Sequence, residues 1–549
     1  MDEEIVYQQE ADVSVEEHVE VVEEVTSAPA SKPAVNPLMQ KLPLLIGAVA
    51  VVVVLILGVS MLFGGGGGAT VEEDTVIWAK IGEDGEAYII LPDGKIIEID
   101  DEVQSAAMTK DRKHIVVLLE DGTLYVTDKN QKEEVEIEED CSGFSIPNDE
   151  CFYYYTVDED EDIPNPSYYL VLLKDYSVVE LGESLSALGI AKETPVVLYA
   201  DEKGVHLLQE GEEEGNKISK LSEDEGVYAL FNAVANNGKL AVWSEVDYYN
   251  DTCTIYLYED DDKVKLTELD TYRAGTRATF SEDQKLLVVS NYYCEYLWLK
   301  TPGKEEIKVK LGGEFSGYPI YTKDGLLAYQ KASSVSGLYV AVDSGDYHNV
   351  YYITKDGDRE RVLSDVRDFD IINGYIVYLD DEYNLHCAKL NKDELKNEIE
   401  IEDDVDRFIV PYNGNYVYFI KDRDGSEGTL YGYKLGDKEA VKVKSGVYAP
   451  YLGTSVDGKT VLFYKDVAYI RDSDYKQGTL MTWTFGAKEP VKVSSDVMFG
   501  SPTSSVNIGV NPKSFVFAKF SGVEDDTIYV NMMRWNGKED EKLVSDVRY

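Results

Sequence analysis

The chain has 549 residues, 104 of them acidic against 52 basic, and a formal net charge of −52. That length exceeds one ordinary core, so several domains or a long repeat array are expected. The acidic field repels nucleic acid and anionic lipid, which excludes both as partners of the bulk surface; five cysteines with no CxxC pair exclude a zinc ribbon and a disulfide scaffold.

Residues 1–41 hold ten acids and two lysines, with valines scattered among glutamates, and end in the linker-like TSAPASKPAVNP. Too little can be buried there for a fold, so a disordered acidic tail is expected, with a docking segment for a cytosolic partner as the other reading. Residues 42–63, LPLLIGAVAVVVVLILGVSMLF, carry no charge. At the rise of a helix they reach roughly 33 Å, enough for a bilayer core of about 30 Å, and a single transmembrane helix is expected. Lys32 and Lys41 flank its N-terminal side, and no Lys or Arg follows before Lys80. The positive-inside rule then places the tail in the cytoplasm and the large C-terminal part outside the cell. Residues 64–70 open with five glycines, a flexible spacer.

From 71 to 549 a pattern recurs about every 44 residues. Its clearest copy is TSVDGKTVLFYKDVAYIRDSDYKQGTLMTWTFGAKEPVKVSSDV at 454–497. Asp457-Gly458-Lys459 is a tight turn, since Asp bonds its own backbone and Gly accepts positive φ. TVLFY is an apolar run suited to a buried strand, DVAYIRDSDYKQ a polar loop, TLMTWTF a second strand, and PVKVSS a third, alternating one. Looser copies cover 109–140, 281–311, 412–447 and 512–547, with a partial one at 75–99. A strand meander of this period predicts an all-β fold, a β-propeller of about ten to eleven four-stranded blades. Each blade is apolar on both faces and must stack on another. Eleven units exceed the usual ring, so two rings in tandem, split near 312–317, are expected; one ring is the alternative.

The pattern resembles the TolB-like β-propeller repeat, which is carried here by Ser455-Val456-Asp457-Gly458-Lys459 and Gly428-Thr429-Leu430-Tyr431. Elsewhere the turn decays to TKDRK, SEDQK or ANNGK, and the proline usual before Asp is mostly missing. The resemblance implies a propeller used as a binding scaffold, with some members beside catalytic domains, and transfers no active residue.

No constellation in the sequence carries chemistry on its own. His18, His114, His206, His348 and His386 lack metal-ligand spacing, and there is no HExxH or GxSxG. Gly453–Thr460 matches a phosphate-loop pattern, but a strand rather than a helix is predicted after it. Cys141 and Cys151 flank a turn-like SGFSIPNDE that would allow a bridge between them. Acidic loops recur at 158–162, 260–262 and 380–382, at Asp422 with Asp424, and at Asp472 with Asp474. In KDRDGSEG, at 421–428, Asp422 and Asp424 read either as turn formers or as Ca²⁺ ligands on a site short of the full calcium-loop spacing. Loop aromatics such as Tyr248, Tyr249 and Tyr347 offer a stacking surface. The leading functional expectation is a membrane-anchored, non-enzymatic scaffold for a protein or glycan ligand outside the cell. The alternatives are a hydrolase or lyase acting on polysaccharide or cell-wall material through rim carboxylates, and a transducer that signals to the tail.

Overall fold

The computed structural model describes residues 77–80, 87–91, 93–99, 102–157, 165–221, 227–259, 262–269, 276–280, 287–291, 296–301, 303–310, 337–343, 347–354, 357–411, 414–455, 457–470, 473, 475–499, 511–524 and 527–548. The tail at 1–41, the span at 42–63, the linker at 64–70 and the split near 312–317 lie outside them. Among the described residues the chain is all strand, and no helix is long and apolar enough to cross a membrane.

Those strands pair antiparallel and in chain order throughout. Seven sheets have four strands, two have three, and one has seven. The seven-stranded sheet is two units that share one bridged pair, Val497 with Lys519, so the described residues form eleven meander units. They occupy 77–98, 103–138, 141–183, 187–219, 227–269, 276–310, 337–366, 368–402, 405–448, 452–499 and 515–548. This is consistent with the propeller blades expected from the repeat.

The burial of successive strands explains the pattern in the sequence. The second strand of a unit is covered on both faces. Ile115, Val116 and Val117 are all buried, as are Val197, Leu198, Tyr199 and Ala200, and Ile376, Val377, Tyr378 and Leu379. A strand so placed must be apolar without interruption, which is why TVLFY and its copies stand out. The outermost strand is covered on one face only. In Val441–Tyr448, Val441 and Lys442 face solvent and Val443 and Val447 are buried. The hairpins also reach further than the sequence suggests. The polar loop expected after TVLFY contains the end of the strand Thr460–Tyr469 and the start of Lys476–Thr484.

A bulge recurs in the outermost strand and fixes its register. Ser364-Asp365-Val366, Ser445-Gly446-Val447, Ser495-Asp496-Val497 and Ser545-Asp546-Val547 each hold the middle residue in the left-handed region, at φ 56°, 67°, 59° and 56°. The ladder to the third strand breaks at each of them. The extra residue turns the following valine inward, and Val366, Val447, Val497 and Val547 are all at most 5% exposed. Asp and Gly interchange at the middle position because they tolerate left-handed backbone better than other residues do.

Successive units share cores along most of the series. Ile89 and Ile97 of the first pack on Val103 and Val117 of the second, and Val116 and Leu118 of the second pack on Phe152 and Val171 of the third. The series continues through the third on the fourth, the fourth on the fifth around Trp243, and the fifth on the sixth around Trp298. Gly357, in the last turn of the seventh unit, stands against Ile307 and Val309 of the sixth. The seventh then packs on the eighth, and so on to the eleventh. In the last cluster Ile90 of the first unit, with Tyr88 and Ile96 beside it, meets Val530, Met532, Val544 and Val547 of the eleventh.

Candidate functional site

In a four-stranded meander the turn between second and third strands lies at one end of the sheet, together with the link that leaves for the next sheet. The other two turns lie at the opposite end. Among the described residues, five tyrosines are exposed as large apolar side chains, and all five stand at the first of these ends. Tyr248 and Tyr249 form the turn between Leu240–Asp247 and Thr252–Glu259. Tyr383 lies between Tyr375–Leu379 and Leu385–Asn391, Tyr469 ends the strand Thr460–Tyr469, and Tyr451 lies on the link from the ninth unit to the tenth.

The turns that carry them are built by aspartates. Asp247 accepts the backbone N–H of Tyr249 (3.1 Å) and of Asn250 (2.9 Å) and the Asn250 side-chain amide (2.7 Å). These bonds, the Asn250 side chain first, hold its carboxyl below the usual range. The rings of Tyr248 and Tyr249 meet edge to face at 6.1 Å, and Tyr249 is 68% exposed. Asp380 accepts the N–H groups of Glu382 (3.0 Å) and Asn384 (2.7 Å) and contacts His386 Nε2 at 3.0 Å. Partial burial pushes its carboxyl up, but the bonds from Asn384 and His386 outweigh that and leave it lowered.

Two of the exposed rings hold a cation of this chain. The Arg367 guanidinium lies 3.9 Å from the centre of the Tyr383 ring and 5.2 Å from that of Tyr347, with Nε donating to the Asp381 carbonyl at 3.2 Å. Lys476, directly across the ladder from Tyr469, lies 4.6 Å from its ring centre and donates to the Tyr448 hydroxyl at 2.8 Å. That hydroxyl, followed by the one of Tyr469, holds the Lys476 ammonium above the ordinary lysine value.

His18 lies outside the described residues, and the other four histidines lie in strands. His206 stacks on Tyr199 (centres 5.0 Å) with Nε2 3.0 Å from Asp201, and His386 stacks on Tyr378 (5.0 Å) in the same relation to Asp380. His114 lies in the strand His114–Leu119, and His348 opens the strand His348–Thr354. Sequence placed His206 beside a strand; it lies within Gly204–Leu208. The segment at 453–460 is a strand end, a turn and a strand start. Ser455 Oγ donates to Asp457 Oδ1 (2.6 Å), which accepts the Lys459 N–H (3.0 Å) before Thr460–Tyr469 begins.

Asp422 and Asp424 are exposed at the end of Tyr416–Asp424, on the same end of their sheet as the tyrosines. Asp422 has φ 55° at a break in the ladder, and Asp466 repeats this at φ 54° in the next unit. A backbone duty thus accounts for an aspartate there. The neighbouring cations are Lys421, bonded to Glu402 (2.8 Å) and Asp403 (2.6 Å), and Arg423, bonded to both Asp406 oxygens at 3.1 Å. Among the described residues no group of three or more His, Cys, Asp or Glu is arranged to hold a metal ion. The acidic segment at 158–162, Asp472 and Asp474 lie outside them, and Asp262 stands at the opposite end of its sheet from Asp380.

Cys141, Cys151, Cys253 and Cys387 are buried free thiols, so Cys141 and Cys151 are not bridged; Cys294 lies outside the described residues. Burial pushes Cys141 up to about 11 and Cys151 up to about 12.

No family model matches the chain, and no curated protein matches it in sequence. It is similar to the solved structure of the tricorn protease at 10% identity and a TM-score of 0.30, covering 86% of this chain and 58% of that one. It is similar to a eukaryotic initiation factor at 8% identity and a TM-score of 0.40, covering 78% and 98%. An oligogalacturonate lyase in complex with manganese matches at 11% identity and a TM-score of 0.28, covering 52% and 86%. At these identities and TM-scores the likenesses carry no chemistry over to this chain.

Proposed function

We propose that the eleven units close as a single ring and that the chain is a non-enzymatic binding scaffold. In this reading the span at 42–63 anchors it in a membrane, with the sheets outside the cell and the acidic tail in the cytosol. Its ligand, a protein or a glycan, is taken up on the rim that carries the exposed tyrosines. One ring is favoured over the two in tandem expected from the repeat count because the eleventh unit packs on the first. Two rings would instead join the sixth unit to the first and the eleventh to the seventh.

The observation that carries the binding function is that every exposed tyrosine among the described residues falls at the same end of its sheet. Exposed apolar residues elsewhere, such as Val178, Val264, Ile399, Val441 and Val491, are single side chains on outermost strands, which need no functional explanation. Tyrosine supplies large, rigid contact area with a polar tip at low entropic cost, which suits a recognition surface. The test is a glycan and peptide array probed with the full chain in detergent micelles. Binders found with the wild type should be lost in a Tyr249→Ser, Tyr383→Ser, Tyr469→Ser variant and kept in Asp262→Asn, at the opposite end. Binders indifferent to the three tyrosines would refute the rim as the ligand surface.

A further inference from the structure

We propose that Asn250 is a glycosylation site, its side-chain nitrogen carrying a glycan that a transferase of the host cell takes from a lipid diphosphate donor. The inference goes beyond the reading of the rim as a ligand surface. It rests on one part of that reading, the placement of the sheets outside the cell, where acceptor sites of this kind are modified.

Asn250-Asp251-Thr252 is the one place in the sequence where Asn is followed two residues later by Ser or Thr with any residue but proline between them. Asn165-Pro166-Ser167 has the excluded proline. Such a triplet can fall anywhere by chance, so its position decides what it does. Here the fold sets it at the tip of a hairpin. Asp247 pairs with Thr252 across the ladder, and the four residues between them make the turn. Asp251 closes it in the left-handed region, at φ 54°. Tyr249, Asn250 and Asp251 are all exposed, Tyr249 to 68%. An exposed turn is the context the motif requires.

The turn also holds the acceptor atom in a way that survives the reaction. Asn250 Nδ2 donates to Asp247 Oδ2 at 2.7 Å, and the Asn250 backbone N–H donates to Oδ1 at 2.9 Å. These bonds, the side-chain one first, keep the Asp247 carboxyl below its usual range and therefore ionised. A primary amide carries two hydrogens on its nitrogen. Glycosylation replaces one of them and leaves the other for Asp247, so the turn keeps its bond. In the transfer the nitrogen attacks the anomeric carbon of the sugar. The bond from that carbon to the diphosphate oxygen breaks, the lipid diphosphate leaves, and the nitrogen gives up one proton. Tyr249 and Tyr248 stand one and two residues before Asn250, and two residues span at most about 7 Å. The first sugar thus lies within reach of both rings, and the C–H face of a pyranose is a suitable cover for an exposed aromatic face. Tyr383, Tyr451 and Tyr469 stand on later units.

The test is mass spectrometry of the tryptic peptide 240–263, from the full chain purified in detergent from membranes of the cells that make it. The wild-type peptide should carry the mass of a glycan, shed in sugar units on fragmentation and mapped to Asn250. Asn250→Gln and Thr252→Ala should return the peptide to its unmodified mass, and Thr252→Ser, which restores the hydroxyl, should keep the glycan. An unmodified wild-type peptide overturns the proposal, and so does a glycan that persists in Asn250→Gln. In parallel, intact cells are treated with a membrane-impermeant amine reagent and labelling is mapped at exposed lysines such as Lys129 and Lys174. Labelled lysines with an unmodified peptide keep the sheets outside the cell and remove the glycan alone. Unlabelled lysines with an unmodified peptide remove both.

Discussion

Gly446 offers the sharpest test of the bulge that sets the outermost strand. Its φ is +67°, and a Cβ built on it would meet Glu427 Oε2 at 3.4 Å and Lys465 Cε at 3.5 Å. Those are ordinary contacts with the far ends of flexible side chains, so space is no obstacle and backbone conformation alone sets the cost. Left-handed backbone costs an L-residue about 1–2 kcal/mol, less for Asp, whose side chain bonds locally, and more for a β-branched residue. Gly446→Ala should therefore cost about 1–2 kcal/mol and Gly446→Val about 2–3 kcal/mol. Gly446→Asp, which reproduces the three sister bulges, should stay within about 1 kcal/mol of the wild type. The assay is urea unfolding of the full chain followed by far-ultraviolet circular dichroism, with slopes compared so that a change of midpoint reports stability. Gly446→Val as stable as Gly446→Asp would refute the argument, because the strand would then have relaxed out of the left-handed conformation without loss. Destabilisation of all three variants to the same degree would also refute it, since packing and not φ would then govern the site.

Two further outcomes are expected. Cys141, Cys151, Cys253 and Cys387 should resist iodoacetamide at neutral pH and label only on unfolding, since burial raises each thiol; peptide mapping of rapid native labelling at any of the four would contradict their burial. Asp380 has its carboxyl lowered from an ordinary value of 3.8. A depressed carboxyl contributes stability that is fully present above the ordinary value and lost as pH falls through the folded one. Asp380→Asn should therefore flatten the acid limb of the stability profile below about pH 4, and an unchanged limb in denaturant titrations at stepped pH would show that the turn owes nothing to that charge.

The repeat was legible because its second strand is covered on both sides. Uninterrupted runs such as Val461, Leu462, Phe463 and Tyr464 have no solvated position to break them, and all four are buried. The first strand of a unit left a fainter trace. Leu452–Thr454 is three residues long, too short for alternation to register. The bulges were written in the sequence as Ser-Asp-Val, with one Ser-Gly-Val, and the exchange of Asp for Gly was the available sign of positive φ. Asp422 drew notice as a carboxylate, while its twin Asp466 points to a backbone duty that a single loop could not reveal. Loop tyrosines at 248 and 249 were visible; Tyr383, Tyr451 and Tyr469 were not, because sequence does not show which end of a sheet a turn occupies. Tyr153, Tyr154 and Tyr155 lie within the strand Cys151–Val157, where aromatic residues pack in the ordinary way.

The contact of Ile90 with Val530 and Val547 joins the earliest and the latest sheets of the chain. During synthesis the first sheet leaves the ribosome with one greasy side covered by its successor and the other bare, and that side waits until the eleventh unit is made. Such a long-range closure is entropically slow to form. Until it forms, the nascent molecule displays two sticky faces at once, one on the first unit and one on the unit made last so far, and each is a template for another copy of the same chain.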